Sequence, residues 1–174
     1  MLGLHKDLVR VVPYDSSWAT EYKKEEKILK ELIGDKILDI QHVGSTSIIG
    51  LSAKPILDIA IGVKDNDVLD KVIPILTNAG YDVKNSIGEY GEVLARKGTP
   101  ENRTHYIHIE VLGSEFWNNH ILFRDYLLSH PQYIEEYKKL KKNLGDINKE
   151  DRKNYTKSKN EFIQKVIDLA KHSY

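Results

Sequence analysis

Apolar positions recur along the chain in two rhythms. Trp18, Tyr22, Ile28, Leu29, Leu32 and Ile33 fall at roughly helical intervals with Lys and Glu between them, which predicts an amphipathic helix. Tyr14-Asp15-Ser16-Ser17 supplies turn and N-cap chemistry ahead of it, and Gly34 is placed to end it. A second helix is predicted through Val68, Leu69, Val72, Ile73, Ile75 and Leu76, capped within Asp65 to Asp67 and closed at Asn78-Ala79-Gly80. Pro74 inside it marks a kink or an early break. Shorter runs predict strands at Ile37 to Val43, Ile56 to Val63, Tyr81 to Lys84, Glu92 to Arg96 and Tyr106 to Leu112. Leu8 to Val12 is a further β-branched run, stopped by Pro13. From Ser114 onward the rhythm is helical: Phe116 to Leu128, Pro131 to Leu144 with its proline in the first turn, and Glu150 to about His172.

The stretch from His42 to Val63, HVGSTSIIGLSAKPILDIAIGV, stands apart. Its first part is small and hydroxyl-rich, as a loop must be for backbone N–H groups to approach an anion closely. Its second part is a nearly continuous apolar run in which Asp58 is the one charge. A carboxylate so placed needs a partner, since desolvating it alone is costly. Two readings stand side by side: a metal-binding or catalytic role, or a structural carboxylate that caps a turn or pairs with Lys54 or Arg96.

Composition narrows the field. At 174 residues the chain is one ordinary domain able to bury a full core. Cysteine is absent, which removes thiolate metal sites, disulfides and cysteine nucleophiles and fits a reducing compartment. The 26 basic and 26 acidic residues cancel, which argues against nucleic acid as a partner. No window approaches the roughly 18 apolar residues of a membrane span, and no signal core opens the chain, so the expectation is a soluble cytoplasmic protein without a membrane partner. Oligomeric state is not legible.

Chemistry concentrates in three places. A predicted strand, then Gly44-Ser45, a twelve-residue connection and Asp58 on the next strand form the order that nucleotidyl transfer needs. There the loop holds a triphosphate, and strand carboxylates hold the magnesium ions that neutralise it. The usual second carboxylate lies two residues on, where this chain has Ala60; Glu110 is the alternative donor. In THYIHIEV, Tyr106, His108 and Glu110 share one strand face and His105 the other. His108 is either an acid, phosphate donor or metal ligand near Asp58, or a histidine hydrogen-bonded within the sheet. Lys54, Arg96 and Arg103 are phosphate partners or simple counter-ions. Trp117 and Phe123, and the stripe of Tyr155, Lys159 and Phe162, read by default as core, and the basic run from Lys138 to Lys142 reads as a solvated face.

HVGSTSIIGLSAKPILDI resembles the GrpB family signature, iGSTSVPGLxAKPxIDI, and the resemblance continues through RTHYIHIEVLGSEFWNNHILFRDYLLSHP and YTKSKNEFI. The family shows RTHHLH, HLxFRDYLRxHP and YxxxKxxFI in the corresponding places. Such proteins are similar to the nucleotidyltransferase superfamily that includes DNA polymerase β. The resemblance implies an α+β domain: a nucleotidyltransferase-like mixed sheet with flanking helices over 1–112, and C-terminal helices over 113–174 packed on it as a single compact unit. Carried over by position, Gly44 and Ser45 stand for the superfamily's glycine-serine pair and Asp58 for its first metal carboxylate. Joined to the reading of the loop and strands, this makes Gly44, Ser45, Thr46, Ser47 and Lys54 the expected phosphate binders and Asp58 and Glu110 the expected magnesium ligands, with His108 beside them as a catalytic candidate. Arg103, His105, His120, Arg124, Asp125, Tyr155 and Lys159 fall on family-marked positions without assigned roles. The implied ligand is a nucleotide or other phosphorylated small molecule. Its role is nucleotidyl or phosphoryl transfer to a small molecule or, because Ala60 replaces the second carboxylate, binding without catalysis at a degenerate metal site.

Overall fold

The computed structural model describes residues 2–84, 92–148 and 151–173. The expected start of the last helix at Glu150 and the turn joining the third and fourth strands lie outside them. The elements run α1 (Ser17–Ile33), β1 (Asp39–Val43), β2 (Leu57–Val63), α2 (Asn66–Asn78), β3 (Asp82–Val83), β4 (Val93–Gly98), β5 (Arg103–Val111), α3 (Glu115–Ser129), α4 (Pro131–Ile147) and α5 (Arg152–Lys171). The strands form one mixed sheet in the order β1-β2-β5-β4-β3, in which β2 and β5 are parallel and every other pair antiparallel. The fold class is therefore α+β.

Strand alternation sorts the two sheet faces. Leu57, Ile59, Ile61 and Val63 of β2 and Ile107 and Ile109 of β5 point one way, into the main core against Trp18, Leu29 and Ile33 of α1 and Leu69, Val72 and Leu76 of α2. Each such aliphatic side chain, fully buried, contributes about 1.5–3 kcal/mol. Asp58, Ala60 and Gly62 point the other way, in register with Tyr106, His108 and Glu110. There Ala60 packs with Val43 of β1 and Trp117 of α3. Gly62 leaves room for that packing, since a Cβ on it would lie 2.6 Å from Leu112 Cδ1 and 3.2 Å from Trp117 Cζ3.

Local chemistry departs from the sequence pattern at several points. The buried stripe of α1 is Trp18, Tyr22, Glu25, Leu29 and Ile33. Glu25 thus enters the core, accepting hydrogen bonds from the Tyr81 hydroxyl at 2.6 Å and from Lys97 Nζ at 2.5 Å. Ile28 is exposed. Gly34 follows α1 in the right-handed conformation and leads into a 3₁₀ turn, so its freedom at positive φ is not used. Pro74 neither breaks nor ends α2, whose neighbouring Val72 and Leu76 are anchored in the core. The Leu8–Val12 run supplies only a single bridge, from Val12 to Ala53. β5 starts earlier than its apolar pattern because Arg103 and Leu4 exchange two backbone hydrogen bonds.

The C-terminal helices build a second cluster from Phe123 and Leu127 of α3, Tyr137 of α4 and Phe162, Val166, Ile167 and Ala170 of α5. Ile48 and Leu51, from the connection between β1 and β2, insert into it. That connection is consequently held between the sheet and the helices. Among the described residues no helix is long and apolar enough to cross a membrane.

Candidate functional site

The loop after β1 is shaped by Gly44. Its φ of +68° favours glycine, and a Cβ there would sit 2.6 Å from Asp58 Oδ2. The residue is therefore required both for the turn and for the close approach of the loop to the carboxylate. The following 3₁₀ turn, Ser45–Ser47, is closed on itself: Ser47 donates to the Gly44 carbonyl through its backbone N (3.2 Å) and its hydroxyl (2.6 Å). Thr46 Oγ1 lies 2.9 Å from His42 Nε2. Ser45 lies against Tyr137 of α4.

Facing this loop is a cleft of about 270 Å³ lined by Ser45, Thr46, Lys54, Asp58 and His108 from the sheet side and by Lys141, Tyr155 and Lys159 from α4 and α5. Lys54 Nζ and Lys159 Nζ lie 5.5 and 4.5 Å from the Tyr155 ring centre, and Lys141 Nζ lies 4.5 Å from that of Tyr137. Lys141 is buried and donates to the Ser52 carbonyl. Among the described residues no carboxylate pairs with it. Burial first, then the charges of Lys159, Lys138 and Lys54, push its pKa well down. An anion in the cleft would relieve that repulsion.

Asp58 is the carboxylate on the cleft wall, and its Oδ1 is 3.4 Å from His108 Nε2. Burial pushes the Asp58 carboxyl up, but His108, Lys54 and His120 together outweigh burial and leave it below its ordinary value. Burial likewise opposes charge on His108, and Asp58 and Glu110 more than compensate, so the imidazole is raised. Arg96, the other partner considered for Asp58, lies instead 3.3 Å from Asp82.

Glu110 shares the sheet face of Asp58 but lies four positions along it, opposite Gly62 where Asp58 is opposite Tyr106. It is fully buried, and its contact is His120 of α3, Nε2 to Oε1 3.1 Å. The remaining candidates stand outside the cleft. Arg103 is buried and donates to Asp82 Oδ2 at 3.1 Å. His105 points to the opposite face, beside Thr104 Oγ1 at 2.9 Å. Arg124 joins α3 to β1, donating to Gln41 Oε1 at 2.8 Å, to the His42 carbonyl at 3.0 Å and to Asp125 at 2.7 Å. It supports the strand that carries the loop.

Lys141 escaped the sequence pattern, in which the Lys138–Lys142 run reads as solvated. The signal was its spacing, four residues after the buried Tyr137 on the face α4 turns inward. Tyr155 is buried, as the core reading of its stripe expects, and also borders the cleft; Lys159 departs from that reading and lines the cleft, while Phe162 joins the apolar cluster. A larger groove of about 790 Å³ runs between the N-terminal segment and α4. Its walls combine Leu4, Leu8, Val9 and Val11 with Arg10, Lys138, Lys139 and Lys142, and among the described residues no glycine- and hydroxyl-rich loop faces them.

Comparison with known proteins adds a family. The family model described as GrpB protein matches residues 8–169. The glutamate-rich protein GrpB of Alkalihalophilus pseudofirmus is 37% identical over 172 residues, covering 97% of this chain and 99% of that protein. The UPF0157 protein YqkA of Bacillus subtilis is 34% identical over 166 residues, 95% of this chain, which spans only 48% of YqkA. The crystal structure of conserved protein GrpB from Enterococcus faecalis superposes with a TM-score of 0.87 at 31% identity, covering 95% of this chain and 99% of that one.

Proposed function

The chain belongs to the GrpB family, and from that premise we propose that its cleft binds a nucleotide or a similar phosphorylated small molecule. The observation that carries this reading is the convergence of Lys54, Lys141 and Lys159, from three separate elements, on a glycine- and hydroxyl-lined loop with Asp58 as the facing carboxylate. A phosphate group complements the charge that the three ammonium groups bring to the cleft. The nucleotidyltransferase resemblance of the Gly44-Ser45 to Asp58 segment supports the same ligand class.

The donor set does not fit two magnesium ions. Two-ion transfer needs at least two carboxylates bridging the metals, and the position beside Asp58 on its strand face is Ala60, fully buried under Trp117. Binding is therefore the primary reading. Group transfer is the second, favoured by the Asp58–His108 contact, which sets a carboxylate beside an imidazole at the cleft where a proton could be taken from an acceptor hydroxyl.

Thermal-shift titration with ATP, ADP and inorganic phosphate tests the binding reading. A ligand at a hundred times its dissociation constant adds about 2.7 kcal/mol of apparent stability. We expect a clear upward shift in the wild type, reduced in Lys159→Ala and Lys54→Ala. Equal shifts in all three proteins would contradict it. Pyrophosphate release by the wild type, lost in a folded Asp58→Asn variant, would promote the second reading.

A further inference from the structure

On the same sheet face as Asp58, deeper beneath α3, lies a cluster that phosphate binding does not use. One ligand-capable atom from each of His108, Glu110 and His120 lies within 4.8 Å of the others. The His108 and His120 rings are 4.9 Å apart between centres at 45°. We propose that these three residues bind a first-row divalent transition metal.

The first argument is the state of Glu110. It is fully buried, and among the described residues neither of its carboxylate oxygens has a hydrogen-bond partner. A buried carboxylate in a native protein is paired or coordinates a metal. The second argument is geometric. His120 Nε2 lies 3.1 Å from Glu110 Oε1, yet the two form no hydrogen bond, and Nε2 is itself buried and unsatisfied. The ring nitrogen and the carboxylate oxygen are side by side rather than aimed at each other, as two donors to a common third atom are. Ligand atoms on a tetrahedral zinc at about 2.1 Å are themselves roughly 3.4 Å apart.

The donor types select the ion. Two imidazoles and one carboxylate suit zinc, iron(II), manganese or cobalt, whereas magnesium prefers oxygen ligands and retained waters. Three protein ligands also leave a coordination position open, as in hydrolytic zinc sites and in two-histidine, one-carboxylate iron sites. His108 lines the cleft, so the cluster adjoins its wall. The elements hold the ligands rigidly: His108 and Glu110 are two residues apart on β5, and His120 is one turn on from Trp117, which packs on Ala60.

The proposal is independent of the nucleotide reading, and one set of proteins separates the two. The full chain, stripped with a chelator, is titrated calorimetrically with zinc, manganese and magnesium chlorides, alongside thermal melts. We expect one equivalent of zinc or manganese to bind and raise the melting temperature, with magnesium inert. Glu110→Gln keeps the side-chain shape, and His120→Asn lies on the partly exposed side of the cluster. Each should weaken binding by more than the about 10–100-fold lost with an outer-shell partner. Lys159→Ala should retain the metal shift while its ATP shift falls. Absence of zinc and manganese binding in the wild type, or affinities unchanged in both ligand variants, would overturn the proposal.

Discussion

His42 stacks on Tyr22 with ring centres 4.9 Å apart and its Nε2 lies 2.9 Å from Oγ1 of Thr46, a buried residue of the cleft wall. Burial lowers the pKa of His42 from 6.5 to about 4, against the pull of Asp58. A histidine depressed in the folded state costs nothing above pH 6.5, where both states are neutral. As pH falls towards 4 the unfolded chain takes up a proton that the native state refuses, and stability is lost. Urea unfolding between pH 7 and 4.5 should therefore show a loss of order 2 kcal/mol attributable to this ring, flattened in His42→Gln. A parallel fall in the variant would place the titration elsewhere. Gly44 makes a second expectation at this scale. Gly44→Ala imposes a left-handed conformation costing about 1–2 kcal/mol and drives a methyl against the Asp58 carboxylate. Denaturant midpoints should fall, and ATP-induced stabilisation should fall with them.

Legibility also divides at the level of residues. Asp58 was readable because a lone charge in an apolar strand stands out, and the Gly44-Ser45 pair because small residues interrupt the pattern. Lys141 was not, since four lysines within five residues look solvated until the helix phase is fixed by Tyr137. Nor was the approach of His120 to Glu110, which depends on how α3 crosses the sheet and not on local sequence.

Among the elements, β2 decides what the cleft can do. Its strand character was legible from a nearly continuous apolar run, and so was the face shared by Asp58 and position 60. What covers that face was not, because the contact comes from Trp117, far along the chain. Ala60→Asp would place a carboxylate in the apolar contact between Val43 and Trp117, costing about 3 kcal/mol or more. Chemical denaturation should register that loss, with no gain in magnesium affinity by calorimetry. Tighter magnesium binding without destabilisation would show that the second carboxylate position is open after all. Helices α1 to α5 were legible from their rhythm, but the continuation of α2 through Pro74 and the early start of β5 at Arg103, where the backbone pairs with Leu4, were not.

Across the whole molecule the cleft exists only because two clusters meet. The sheet supplies the loop, Lys54 and Asp58; α4 and α5 supply Lys141, Tyr155 and Lys159. The pieces are tied by Ile48 and Leu51 inside the helical cluster and by Arg124 bridging α3 to β1. The change from mixed strands and helices to helices alone was plain in the sequence, but the joint between them required coordinates. A ligand held between the two layers must order both at once. Amide hydrogen exchange of the full chain with and without saturating ATP tests this most directly. Binding in the cleft predicts slower exchange both at residues 44–47 and at 155–159, whereas protection confined to one segment, to the groove beside the N-terminal segment, or to neither would contradict it.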